Sequence, residues 1–246
     1  MLFRSADDNS LVDRAVAHRA GIGWFGKNAN VLVPGAGSFF VLGSVVTTAR
    51  LATSRIVDDG CGSCRRCLDG CPTQAIVDPG VVDARRCLAW LLQKPGVFDR
   101  RYRVALGDRM YGCDDCQEVC PPTTRRQLRV TPPDGARPWV DVESFLELDD
   151  AELLEEVDWW YVADRNPDWI RRNALIVLGN IGEPSSPRVR RLIVRYLEHP
   201  DPMLRAHAVW SAARLGMNDV IPKYDTAPLV VDELRNLPEV RATRTN

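Results

Sequence analysis

Apolar positions Leu11, Val12, Ala15, Val16 and Ala20 recur at helical spacing and predict a helix over residues 8 to 20. Ser10 with Asp13 resembles a capping box at its start, and Gly21-Ile22-Gly23-Trp24 breaks it. Runs of β type follow at Val31 to Val33 and Phe39 to Thr47, joined by the turn Pro34-Gly35-Ala36-Gly37. Two strands have raw edges and too little core to stand alone, so this segment reads as part of something larger. Val81 to Leu92 predicts a helix, residues 121 to 140 are rich in Pro, Arg and Thr and read as a wrapping linker, and helical periodicity resumes from about Val142. Within that last part Ile170-Arg171-Arg172-Asn173-Ala174-Leu175 matches Leu204-Arg205-Ala206-His207-Ala208-Val209, and Ile181-Gly182 matches Leu215-Gly216, at a period of 34 residues with a helix over 188 to 197 between. Paired helices at this period suggest a solenoid of the HEAT type. Two units fall short of the three or so that usually stand alone, so the array is expected to pack on the module before it.

The polar pattern is dominated by cysteine. All eight cysteines fall between Cys61 and Cys120. Cys61, Cys64, Cys67 and Cys71, followed by Pro72, show the bacterial ferredoxin spacing of two, two and three intervening residues before Cys-Pro. Cys113, Cys116 and Cys120 form a second run that also ends in proline, with Cys87 between the two. Thiolates two residues apart can face one cluster, whereas the last of such a run ligates the other. The spacing therefore assigns Cys61, Cys64, Cys67 and Cys120 to one 4Fe-4S cluster and Cys71, Cys87, Cys113 and Cys116 to a second. Zinc is the competing reading, since paired C-x-x-C elements also build four-cysteine zinc sites, but those rarely add a third cysteine two residues on and a fourth before proline. Disulfides fit less well still: the chain shows no signal peptide, and reduced thiols are the rule in the cytosol.

Charge changes this picture little. The formal net charge is −1, which gives no global basic field to hold nucleic acid. Arginine is concentrated in the stretches 100 to 129 and 171 to 195, and 141 to 158 is acidic. No apolar run approaches the roughly eighteen residues that would span a bilayer, so no membrane partner is expected and the protein reads as cytoplasmic.

Several segments together resemble the epoxyqueuosine reductases, cobalamin- and iron–sulfur-dependent enzymes of tRNA queuosine synthesis. They are Asp8-Asn9-Ser10-Leu11-Val12-Asp13-Arg14-Ala15, Ala20-Gly21-Ile22-Gly23-Trp24-Phe25-Gly26-Lys27-Asn28, Gly37-Ser38-Phe39-Phe40-Val41-Leu42-Gly43, Cys61-Gly62-Ser63-Cys64 and Asp83-Ala84-Arg85-Arg86-Cys87. The most specific runs from Asp108 to Pro121 and contains Tyr111-Gly112-Cys113-Asp114-Asp115-Cys116-Gln117. Two departures stand out. The family has a long stretch before the position of Met1, so this chain resembles a truncated gene product or one whose start has been assigned too late. After Cys87 the family tends to a Ser-aromatic-Leu-Thr segment, where this chain has Ala89-Trp90-Leu91-Leu92.

The resemblance implies an α+β fold in three parts: a remnant of an α/β cobalamin-binding domain (1–57), a ferredoxin-like module with two 4Fe-4S clusters (58–121), and, after a linker (122–141), C-terminal HEAT-like repeats (142–246). It implies reduction of epoxyqueuosine to queuosine in the tRNA anticodon loop, by cobalamin fed from the clusters. The expected partners are that tRNA and an external electron donor, and the expected state is a monomer. A departing epoxide oxygen needs an acid, and the resemblance places it at Asp7, with Asp8 the rival; otherwise these carboxylates merely favour a helix N-terminus. Lys27 and Ser38 are the implied cobalamin contacts, against an ordinary surface lysine and turn serine. None of His18, His199 and His207 suits a cobalt ligand, so binding without histidine is expected. Arg171, Arg172, Arg190, Arg191, Arg195 and Arg205 are candidates for tRNA phosphate, against a solvated helix face. Trp159, Trp160 and Trp210 read as core. The alternative is a ferredoxin-like electron carrier, or an inactive fragment lacking its cofactor domain.

Overall fold

Residues 11–127, 131, 134, 137 and 139–242 are described by a computed structural model. They fall into two compact units, one of Met1–Cys87 with Asp114–Asp134 and the other of Leu88–Cys113 with Gly135–Asn246. Two of the three crossings of the chain lie beside a cysteine, after Cys87 and after Cys113, and the third follows Asp134. The linear reading takes 58 to 121 as one module, whereas contacts place its middle, 88 to 113, with the helical array.

The first unit begins with α1 (Asp13–Arg19). Its N-cap is Val12, without a side-chain cap bond, and Ser10 lies outside the described residues. Leu11, Val12 and Val16 stay exposed and only Ala17 is buried, so the apolar stripe of this helix is mostly uncovered among the described residues. Two strands, β1 (Trp24–Phe25) and β2 (Val31–Leu32), pair antiparallel with Trp24 opposite Leu32. This corrects the expected partner of Val31 to Val33, which was Phe39 to Thr47. Val33 meets Gly37 in a single bridge, and 39 to 47 forms no strand. Val41, Val45 and Val46 there are 98%, 90% and 91% exposed, so β propensity finds no edge to add to among the described residues. Gly37 shows why the turn is glycine: its φ is +76°, and a Cβ would stand 2.5 Å from the Thr123 backbone.

The cysteine-bearing part holds α2 (Arg66–Asp69), the short antiparallel pair β3 (Ile76–Asp78) and β4 (Val81–Val82), and, in the segment that returns to this unit, α5 (Asp115–Glu118) and α6 (Pro121–Gln127). The expected helix over 81 to 92 is broken into β4, a 3-10 turn at Ala84–Arg86, and α3 (Leu88–Gln93). Asp83 causes the break: its carboxylate accepts the Arg85 N–H and starts a new turn after β4. Cys87 is left in an extended conformation between turn and helix. The expected linker likewise opens as helix α6.

The second unit packs α3 and α4 (Arg100–Leu106) with α7 (Val142–Glu147), α8 (Asp150–Glu156), α9 (Asp168–Ile181), α10 (Pro187–Leu197), α11 (Pro202–Arg214) and α12 (Pro228–Arg235). Start signals are local and strong. Ser186-Pro187 and Asp201-Pro202 each pair a capping side chain with a proline whose missing N–H costs a helix nothing at its first position. Asp149 and Glu152 close a reciprocal capping box on α8. The helices bury a continuous core that includes Leu88, Leu91, Phe98, Leu106, Leu146, Leu175, Ile193 and Leu204. Each such side chain contributes roughly 1.5–3 kcal/mol when fully buried. The repeat at 34 residues corresponds to α9 and α11, with α10 between them, and the chain between Cys87 and Cys113 completes its core.

Candidate metal centre

In the first unit the cysteines are positioned by very short elements. Asp59 accepts the Cys61 N–H through its carboxylate at 2.9 Å, and the Cys64 N–H closes back on the Cys61 carbonyl at 3.0 Å. Cys67 lies on α2, and Cys120 is buried at the end of the loop that leads from α5 into α6. Gly70 lets the two short helices approach, since a Cβ there would stand 3.1 Å from the Val119 side chain. Sequence-distant thiols are thereby brought together. Burial pushes the Cys67 thiol up, and Cys120 and Cys61 beside it push it further. Burial likewise raises Cys120, which also feels Cys61 and Cys64. Cys67 and Cys120 thus lie near Cys61, and Cys120 near Cys64, so that their negative forms repel. A cation is what such a donor set lacks, and thiolate-bound iron fits it.

Cys71 differs. Although burial pushes it up, the N–H groups of Ala75 (3.1 Å) and Thr73 and the Thr73 hydroxyl together hold its thiol below the usual range. It is thereby prepared as a thiolate ligand. Cys116 sits on α5, and Cys87 ends the first stretch of this unit; Cys113 belongs to the other unit, where it packs against the helical core. Among the described residues no three His, Cys, Asp or Glu side chains could hold a single ion. A cubane cluster gives each thiolate its own iron, and so spreads its ligands more widely than one ion does.

The hairpin β1–β2 and its flanks support both cysteine runs. The Trp24 indole N–H donates to Cys61 Sγ at 3.4 Å. Lys27 Nζ donates to the carbonyls of Gly62 (2.6 Å) and Cys64 (3.0 Å), and Asn28 Nδ2 to the Cys116 carbonyl (3.2 Å). Ser38 Oγ donates to Gln117 Oε1 at 2.8 Å, and its N–H to Thr123 Oγ1. Lys27 therefore bonds to the loop of the first cysteine run, and Ser38 to the two short helices on either side of Cys120. Asp7 lies outside the described residues. Trp24, Asn28, Gln117 and Thr123 escaped the reading of the sequence. For Trp24, Asn28 and Gln117 the only signal there was membership of the glycine-flanked and cysteine-flanked segments, because a contact between residues 37 or 88 positions apart leaves no local pattern.

In the second unit most of the arginines named for phosphate are already engaged. Arg172 is fully buried, which removes it from any surface contact. Arg171 pairs with Asp150 (2.5 Å) and Asp168 (3.2 Å), Arg205 with Asp225 (3.0 Å), and Arg190 with Asp219. Arg195 donates weakly to the last carbonyls of α7, at 3.4 Å, and Arg191 is exposed. Trp210 is buried and Trp160 stacks on Tyr111 with ring centroids 4.5 Å apart, as core residues do, whereas Trp159 is mostly exposed.

Two stretches of the chain match known protein families. Residues 60–123 match the 4Fe-4S double cluster binding domain, and residues 159–223 match HEAT repeats. The chain is 34% identical over 219 residues to the epoxyqueuosine reductase of Bacillus anthracis, which covers 87% of this chain and 57% of that protein. It is 31% identical over 241 residues to that of Listeria monocytogenes, covering 96% and 62%. Among solved structures it matches epoxyqueuosine reductase from Bacillus subtilis at a TM-score of 0.80 and 29% identity, covering 93% of this chain and 63% of that one. A crystal structure of epoxyqueuosine reductase with an epoxyqueuosine-modified tRNA-Tyr stem loop matches at a TM-score of 0.79, covering 94% and 64%. The chain thus spans somewhat under two thirds of the length of the proteins it matches.

Proposed function

This chain is related to the epoxyqueuosine reductases, and we propose that it takes part in the same reaction, the reduction of epoxyqueuosine to queuosine in a tRNA anticodon loop. The observation that carries this reading is the nearness of Cys67 and Cys120 to Cys61, and of Cys120 to Cys64, which supports assigning these four to one 4Fe-4S cluster. The second cluster is assigned to Cys71, Cys87, Cys113 and Cys116, on the strength of their spacing and the hydrogen-bonded thiol of Cys71.

Removing an epoxide oxygen to leave an alkene consumes two electrons and two protons and releases water. Iron–sulfur clusters deliver electrons singly, so two clusters in one chain suit a reaction of this balance. Asp7 is the acid we assign to protonation of the departing oxygen, because an alkoxide is a poor leaving group. The resemblance supplies cobalamin as the acceptor of these electrons. Lys27 and Ser38 are the proposed contacts to it, although in this structure their polar atoms bond to the cysteine-bearing segments. They are assigned as well to holding the segments around the clusters. The tRNA and an external electron donor are the proposed partners. With Arg172 buried and its neighbours paired, phosphate contact in the second unit falls to exposed side chains such as Arg191.

Anaerobically purified protein should carry about eight irons per chain. Given cobalamin, a chemical reductant and an epoxyqueuosine-containing stem loop, it should yield queuosine by mass spectrometry of the nucleosides. Zinc in place of iron would overturn the cluster assignment. Full iron without queuosine would instead favour a ferredoxin-like electron carrier.

A further inference from the structure

Trp24 places a hydrogen-bond donor on a cysteine sulfur from a part of the chain 37 residues away. Its indole Nε1 stands 3.4 Å from Cys61 Sγ, a normal distance for N–H···S. The ring is 7% exposed and packs with Leu32, Val57, Cys61 and Cys120 in a small apolar cluster of its own. Its position is fixed from two sides. Trp24 is paired with Leu32 across the β1–β2 ladder, and the six-membered ring lies over Gly60, where a Cβ would stand 2.8 Å from Trp24 Cζ2. Gly60 directly precedes Cys61, so the absence of a side chain there lets the indole reach the sulfur. The neighbouring contacts of Lys27 with Gly62 and Cys64 hold the same loop against the same hairpin.

We propose that Trp24 sets the reduction potential of the cluster bound by Cys61, Cys64, Cys67 and Cys120, by donating its indole N–H to the Cys61 thiolate. This inference rests on the cluster assignment above and adds to it a residue with a defined electronic role. Reduction adds one electron to the cluster and makes it more negative. A donor on a ligand sulfur stabilises that extra charge, and so raises the potential. The apolar ring acts in the opposite sense, since excluding water penalises the more charged reduced state. Trp24 therefore combines two effects that a phenylalanine would separate: the ring would remain and the donor would be lost.

The test is an anaerobic dithionite titration of the iron-loaded protein, followed by electron paramagnetic resonance, with Trp24→Phe beside wild type. A second variant carries 3-benzothienylalanine at position 24, which keeps the shape of indole but replaces the N–H by sulfur and so guards against repacking. One of the two one-electron couples should move to more negative potential in both variants, with the other unchanged and iron content still at the wild-type level. Unchanged couples in the benzothienylalanine variant, or equal movement of both, would overturn the role of Trp24 while leaving the clusters in place. A wild-type protein that binds no iron would overturn the cluster assignment, and this proposal with it.

Discussion

Asn173 and His207 occupy the same position in successive repeats, 34 residues apart in the chain, and both turn inward onto the segment between Leu88 and Cys113. Asn173 Nδ2 donates to the carbonyls of Leu92 (3.0 Å) and Met110 (3.4 Å). His207 Nε2 accepts the Phe98 N–H at 3.3 Å, and its Nδ1 donates to the Met203 carbonyl at 2.7 Å. The repeat thus provides equivalent polar anchors for the chain that runs from one cysteine to the next.

His207 makes the second unit sensitive to acid. Its ring is fully buried, and burial, reinforced by the nearby cations Arg103 and Arg172, holds its pKa well below 6.5. Protonation would also destroy the acceptor that Phe98 uses. The unfolded chain takes up this proton near pH 6.5 and the folded chain does not. The stabilisation is therefore complete above that pH and is lost as pH falls, by up to about 1.4 kcal/mol per pH unit. Urea denaturation between pH 7 and pH 5 should show this slope, and His207→Gln should flatten it. His199, lowered by its own burial, acts in the same direction and leaves a residual slope.

Arg172 should be the costliest arginine to replace. Its guanidinium donates to the carbonyls of Lys94 (2.7 Å), Gly96 (2.5 Å) and Leu92 (2.9 Å), and no carboxylate pairs with it in those contacts. Burial, with Arg103 nearby, pulls its pKa down to about 9, so it remains a cation near neutrality and is neutralised by the C-terminal dipole of α3. Arg172→Met would fill much of the space but strand those carbonyls, at roughly 1–3 kcal/mol each before relaxation. The midpoint of urea unfolding should fall sharply. Arg172→Lys, which lacks the planar fork, should recover only part of the loss.

A buried ion pair joins α4 to α12. Arg103 Nη1 lies 3.1 Å from Glu233 Oε1, off the axis of a good hydrogen bond, with both side chains almost wholly buried. Arg100 reaches the same carboxylate at 3.4 Å. Glu233→Gln leaves the Arg103 guanidinium buried without its counter-charge and should cost about 3–5 kcal/mol. The double variant Glu233→Gln with Arg103→Met should be more stable than the single one, as measured by thermal unfolding.

Periodic patterns were legible in the sequence, and long-range contacts were not. The spacing of the cysteines marked the double-cluster segment, and a 34-residue period located α9 to α11. The expected strand at 39 to 47 failed because propensity cannot supply a partner edge. The expected helix across Cys87 failed because Asp83, four residues before it, caps a new turn. Arg172 looked like one more surface arginine, since nothing local distinguishes a guanidinium that binds backbone carbonyls from one that faces solvent. The interleaving of the two units at Cys87 and Cys113 was likewise invisible, because only tertiary contacts define it.

Lys27 offers the sharpest test of the hairpin's part in the centre. Its ammonium bridges the carbonyl of Gly62, which follows Cys61, and that of Cys64 itself, and so fixes the loop that precedes α2. Lys27→Met keeps most of the apolar stem and removes all three donors. The loop should then sample open conformations in which Cys61 and Cys64 are exposed, without any loss of ligands. Iron content after gentle anaerobic purification should match wild type, whereas release to a chelator should quicken several-fold and halt at about half the iron, the share of one cluster. Release of all the iron at one rate would show that Lys27 supports the whole unit instead of this loop.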